Sequence, residues 1–172
     1  MLRNTKLTLA QIALFAMLGA MTFGGKMVMA AFPNIEPVSL LVMLFAVVFG
    51  KKGLYPVYVY VLLEILTFGI NIWNVYYLYV WAILFFAAYF CRRFRHPVFW
   101  AVLAALFGMA FGSLCAIADS FVWGVPYAIA KIGTGLWYDV THCVGNFVIA
   151  LVLFVPLRKL LETLYGRMQR IR

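Results

Sequence analysis

The sequence predicts an all-α integral membrane protein, a single domain over residues 1–172 with six transmembrane helices and both termini in the cytoplasm. Three observations predict it. Hydrophobic residues make up 67% of the 172 residues and charged residues only 11%, against roughly half and a quarter in soluble domains, and the mean hydropathy is +1.02. A soluble domain of this size has no interior large enough for so many apolar side chains. The apolar residues gather into long runs, and the basic residues gather between alternate runs. A soluble enzyme, a disordered tail and a secreted disulfide scaffold are excluded together. The net charge of +9 reads as the cytoplasmic bias of Lys and Arg rather than as a nucleic-acid surface.

The spans are Leu7 to Ala31, Pro37 to Gly50, Leu54 to Ile72, Val75 to Cys91, Val98 to Ala118 and Gly133 to Pro156. Arg3 and Lys6 before the first run imitate a signal peptide. The run outlasts a signal h-region, so an uncleaved first span is expected. Six alternating spans put 12 of the 14 basic residues on one side; only Lys26 and Lys131 fall toward the other. A five-span path would scatter the basic clusters over both faces. The acidic residues run the other way: Glu36, Glu64, Asp119 and Asp139 map to the outer half, Glu162 to the inner side.

The second span reaches only about 21 Å at helical rise, short of the roughly 30 Å hydrocarbon core. Either the bilayer thins, or the connection Phe32 to Glu36 dips below the outer surface, bringing Asn34 and Glu36 to the wall of a pocket, or the helix tilts. Glu64 at membrane depth needs a partner. Lys26 is a candidate, as a structural ion pair or with one or both touching substrate; alternatively Lys26 snorkels outward. Asp139, His142 and Asn146 share a face of the sixth span and form either a binding wall or packing contacts. Trp73, Tyr76, Tyr77, Tyr79 and Trp81, with Trp123, Tyr127, Trp137 and Tyr138, crowd the outer side, as an interfacial belt or as stacking walls. The connection Asp119 to Ile132 is read as the longest loop, either a cap or an interfacial segment.

Motifs for nucleotide hydrolysis and for hydrolase chemistry are missing, so no catalytic residue is assigned. Cys91, Cys115 and Cys143 have no metal spacing, and no metal site is predicted. Ala16 and Ala20 in the first span form an Ala-x-x-x-Ala step that Gly24 extends, and Ala104, Gly108 and Gly112 form a similar stripe in the fifth; small residues let another helix approach closely.

With six spans, the Ala16-x-x-x-Ala20 step and a polar, aromatic outer half, the chain resembles the substrate-binding S components of energy-coupling factor (ECF) vitamin transporters. The block Pro33 to Leu40 and the segment Asp139 to Phe147 look like those of uncharacterised or cobalamin-type members. The resemblance implies a non-enzymatic transport subunit in a bacterial cell membrane. Such a subunit binds a vitamin-like small molecule in an outward-facing pocket and docks on a membrane T subunit carrying two ATPases. It holds no cofactor of its own, since the partners use the ATP. Ala16, Ala20 and Gly24 become docking positions. Asn34, Glu36, Glu64, Trp73, Trp137, Asp139, His142 and Asn146 become substrate-binding candidates by location, with a lean toward cobalamin. A different class stays open: a small intramembrane enzyme acting on a lipid or isoprenoid through Asp139 and His142.

Overall fold

The computed structural model describes residues 7–32 and 34–170. Arg3, Lys6, Pro33 and Arg172, which enter the sequence argument, lie outside the described residues. The helices are α1 (Leu9–Val28), α2 (Val38–Phe49), α3 (Leu54–Phe68), α4 (Ile72–Phe90), α5 (Pro97–Val122) and α6 (Val125–Arg170), with a 3-10 turn at Gly50–Gly53 between α2 and α3. Local chemistry sets the starts. Thr8 and Gln11 form a reciprocal capping box on α1, Asn71 and Asn74 form another on α4, and Pro97 occupies the first turn of α5. A cap satisfies N–H groups that the first turn otherwise leaves without partners.

Successive helices run in opposite directions. Phe15 of α1 stacks edge-on against Phe49, while Gly25 of α1 lies against Pro37 at the opposite end of α2. Gly53 sits on the backbone carbonyl of Phe45, so the chain doubles back at the 3-10 turn and no side chain fits at that position. On α6, Asp139 faces Gly112 of α5, and Phe154 stacks on Trp100 at 4.4 Å. Helix α2 occupies the centre. Val38, Val42, Met43, Leu44, Phe45 and Ala46 are fully buried, the signature of a helix that is apolar all round because it is enclosed all round.

Five helical stretches are long and apolar enough to cross a membrane: Leu9–Val28, Val38–Phe68, Ile72–Phe90, Pro97–Val122 and Val125–Arg170. The second contains the α2–α3 reversal. Six sequence runs thus yield five stretches, because α2 has only 12 residues and is about 18 Å long.

Two further differences concern α6. The segment Asp119 to Ile132 is not a loop. Asp119 belongs to α5, residues from Val125 belong to α6, and only Trp123 and Gly124 connect them. Gly124, at φ +90°, makes the turn from a conformation that side-chain-bearing residues rarely adopt. Nor does the helix stop at Pro156, which lies inside it. Proline removes one helical N–H; beyond it Leu157, Leu161 and Tyr165 pack on the core and carry the helix on.

Helices α5 and α6 are held together through small residues. A Cβ on Gly108 would lie 2.8 Å from the backbone of His142 and Cys143. Gly108→Ala should therefore destabilise the protein by about 1–3 kcal/mol, the usual cost of overpacking. Gly133→Ala, in the same hairpin with open space around the new methyl, should be neutral or raise stability by roughly 0.4–1 kcal/mol. Thermal unfolding in detergent checks both.

Candidate functional site

Above the N-terminal end of α2 the bundle holds a cavity of about 350 Å³. Its wall is made by Lys26 near the end of α1, the following connection (Met29, Ala30, Phe32, Asn34, Ile35, Glu36), the end of α3 (Glu64, Phe68), and the cap and start of α4 (Asn71, Trp73, Asn74, Tyr77). Phe111 of α5 and His142 of α6 complete it. The space exists because α2 stops short of the helices around it, and the α1–α2 connection turns in over its end. That connection is fixed by Asn34, whose Nδ2 donates to the Tyr138 carbonyl at 3.0 Å. Asn34 adopts φ +60°, a left-handed conformation that asparagine tolerates better than most residues.

Lys26 Nζ donates to Glu64 Oε2 at 2.9 Å and to the Tyr77 hydroxyl at 3.0 Å, and lies 4.9 Å from the centre of the Tyr77 ring. Of the two roles the sequence leaves open for this pair, the ion pair is present, and both partners also line the cavity. The Glu64 side chain is almost buried, and its second oxygen, Oε1, has no hydrogen-bond partner. Glu36 takes part in none of the three salt bridges among the described residues, which join Lys26 to Glu64, Lys131 to Asp119 and Arg158 to Glu162. Burial pushes the Glu36 carboxyl up to about 7; Lys26 opposes the rise and Glu64 adds to it.

His142 is 1% exposed, and neither ring nitrogen has a partner. It stands edge-on to Phe111 at 5.0 Å. Its neighbours on the same face of α6 are engaged elsewhere. Asp139 Oδ1 accepts from the Gly112 N–H at 2.9 Å. Asn146 Nδ2 donates to Ser39 Oγ at 3.0 Å and to the Ala104 carbonyl at 3.3 Å. Neither lines the cavity, and Trp137, 72% exposed, points away from the bundle. Of the eight substrate-binding candidates, the cavity brings together Asn34, Glu36, Glu64, Trp73 and His142. Asn71 and Asn74 also line it and are not among those candidates. Their cap-like spacing before an apolar run is the signal that places them at the start of α4.

A second buried polar group lies beside the cavity. Lys131 Nζ donates to Asp119 Oδ2 at 2.7 Å and to the Tyr76 hydroxyl at 2.9 Å, and the Tyr76 hydroxyl donates to Asp119 Oδ1. Every member is partnered, so this group ties α4, α5 and α6 together.

Ala16 and Ala20 are exposed on α1, and Gly24 has no atom near its missing side chain. The buried small residue of that helix is instead Gly19, where a Cβ would meet Val59 and the Pro56 carbonyl of α3. Comparison with family models, with curated proteins and with solved structures finds no match for this chain.

The wall chemistry sets two expectations. Lys26→Met leaves the Glu64 carboxylate buried and unpaired, which should cost about 3 kcal/mol of stability, and the double variant Lys26→Met with Glu64→Leu should recover most of it; thermal unfolding of all three in detergent checks this. Glu36 has a folded pKa raised above its unfolded value, so its contribution to stability is full in acid and is lost as the pH rises through about 7. The other titratable side chains on the same wall are Lys26, Glu64, Tyr77 and His142. Between pH 5 and pH 8 the unfolding temperature of the native protein should therefore fall relative to that of Glu36→Gln; parallel curves would show that this carboxyl does not titrate there.

Proposed function

We propose that the protein is the substrate-binding membrane subunit of an ECF-type importer. It captures a vitamin-like micronutrient in the cavity above α2 and delivers it by docking on a T subunit and its two ATPases. In this reading it is a bacterial cell-membrane protein with six spans and cytoplasmic termini, has no catalytic role, and carries no cofactor.

One observation supports the reading most. Among the described residues, the buried side-chain atoms without partners are Tyr60 Oη, Glu64 Oε1, Trp81 Nε1 and both nitrogens of His142. All belong to the cavity or stand directly behind its wall: Tyr60 against Tyr77, and Trp81 against Tyr77 and Phe111. Unsatisfied buried polar groups cost about 1–3 kcal/mol each. Their concentration around one cavity fits a site that a polar ligand completes. The alternating helices, with Lys51 and Lys52, Arg92, Arg93 and Arg95, and the Arg158–Arg170 cluster at one end, support cytoplasmic termini by the positive-inside rule. The exposed Ala16 and Ala20 face supports close approach by a partner helix.

A volume of about 350 Å³ lies at the low end of the roughly 300–1,000 Å³ typical of small-molecule pockets. It favours a ligand of one or two rings over one the size of cobalamin. The enzymatic alternative needs Asp139 to act with His142, and the hydrogen bond of Asp139 goes to Gly112; no observation favours that reading.

Replacing Ala16 and Ala20 with Trp tests the proposal. Vitamin binding by the purified protein, followed by tryptophan fluorescence, should survive, while ATP-driven uptake by cells should be lost. Undiminished uptake would overturn the docking role.

A further inference from the structure

We infer that the cavity selects a small planar organic cation bearing nitrogen-bound hydrogens, such as an amidinium or an aminated heteroaromatic ring, with its charged end held between Glu36 and Glu64. The inference rests on the binding-subunit reading and narrows its ligand class.

The charge count carries it first. The charged side chains on the wall are Lys26, Glu36 and Glu64. The ammonium of Lys26 is already committed, to Glu64 Oε2 and to the Tyr77 hydroxyl, which leaves one carboxyl group in excess. A carboxylate or phosphate ligand would meet two acids and a lysine that is taken. It would lose its hydration with no uncommitted cation on the described wall to replace it. An incoming cation meets Glu36, which forms no salt bridge among the described residues. Glu36 sits at about 7 because burial and Glu64 both disfavour its charge; a cation beside it reverses that and restores the carboxylate.

The hydrogen-bond inventory points the same way. Glu64 Oε1 is an acceptor without a donor in a side chain only 6% exposed. The amide nitrogen of Asn34 is spent on the Tyr138 carbonyl. Beside the imidazole of His142, which offers one donor and one acceptor, the carboxyl oxygens of Glu36 and Glu64 Oε1 are acceptors that a donor-rich head group matches. The body of the ligand would lie among Trp73, Phe68 and Phe111. Aromatic faces attract a cation and leave an anion unrewarded, and Lys26 already exploits Tyr77 in this way.

Three probes that share one ring and differ in charge test the inference. Benzamidine, benzamide and benzoate carry a cationic, a neutral and an anionic head. Each is titrated into the full-length protein in detergent at pH 8, where Glu36 is charged, with tryptophan fluorescence as the readout. Benzamidine should saturate at a concentration at least about tenfold lower than the other two. Glu36→Gln, which keeps the size of the side chain, should erase that preference while leaving the fold intact by thermal unfolding. Benzamide or benzoate binding as tightly as benzamidine, no response to benzamidine, or a preference unchanged in Glu36→Gln would each overturn the inference. The two proposals fail separately. Benzoate binding as tight as that of benzamidine and lost in Trp73→Ala would remove the cation class and leave a small-molecule binding subunit. Uptake that survives the Ala16 and Ala20 replacements would remove the docking role and leave the cation preference standing.

Discussion

The twelve residues of α2 set the terms for the rest of the molecule. A helix of about 18 Å at the centre of a bundle built for a layer of roughly 30 Å leaves part of its column unfilled. The neighbours of α2 continue past it, so the space above its first turn must hold the α1–α2 connection and the side chains that reach over it. Backbone that is not helical is tolerated at membrane depth only where protein or water covers it. The connection meets that condition through Asn34, bonded to the Tyr138 carbonyl, and through Ile35, packed against Gly145. The cavity is what remains once those demands are met.

Charge placement obeys the same constraint. Lys26 and Lys131 are the two cations that break the one-sided pattern of basic residues in the sequence. They are also the two that hold Glu64 and Asp119 at 2.9 and 2.7 Å. Glu64 and Asp119 thus have one lysine each, so the departures from the positive-inside pattern are matched by buried acids. Among the described residues Asp139 has no lysine, and it accepts from the Gly112 N–H. The absence of a side chain on Gly112 lets that carboxylate approach the α5 backbone, which gives one glycine of the small-residue stripe a polar purpose as well as a packing one.

Much of this is legible in the sequence, for a physical reason. Long apolar runs with basic ends have few alternatives to membrane helices, so the helices, their order and the grouping of Glu36, Glu64, Trp73 and His142 toward one end follow from hydropathy and charge. The shortness of α2 is also visible, and with it the inward turn at Asn34 and Glu36. What is not legible depends on rotation and neighbours. Asp139, His142 and Asn146 share one face of α6, but α6 changes neighbour along its length: Asp139 meets α5, Asn146 meets α2 and α5, and of the three only His142 meets open space. Spacing along a helix says which residues point together, not what they point at. The extent of α6 is hidden for another reason. Gly133, Gly135 and Pro156 read as punctuation, and packing of Leu157, Leu161 and Tyr165 carries the helix past the proline.

The distribution of satisfied and unsatisfied groups then separates stability from function. Away from the cavity, buried polar side chains are paired: Gln11 with Tyr165, Thr22 with the Leu18 carbonyl, Asn146 with Ser39, Asp119 with Lys131 and Tyr76. Around the cavity, Glu64, His142, Tyr60 and Trp81 each keep at least one polar atom without a protein partner. A fold selected for stability alone would place apolar residues there, as it does along most of α2. Keeping four polar side chains in one apolar neighbourhood is a departure from internal consistency, and such departures belong where a protein meets something outside its own chain. The unpaired acceptor on Glu64 and the unpartnered ring of His142 line that space from α3 and α6, and Glu36 lines it from the turn above α2. Elements joined elsewhere both by apolar packing and by paired polar groups thus meet here around polar atoms that the described residues leave unpaired.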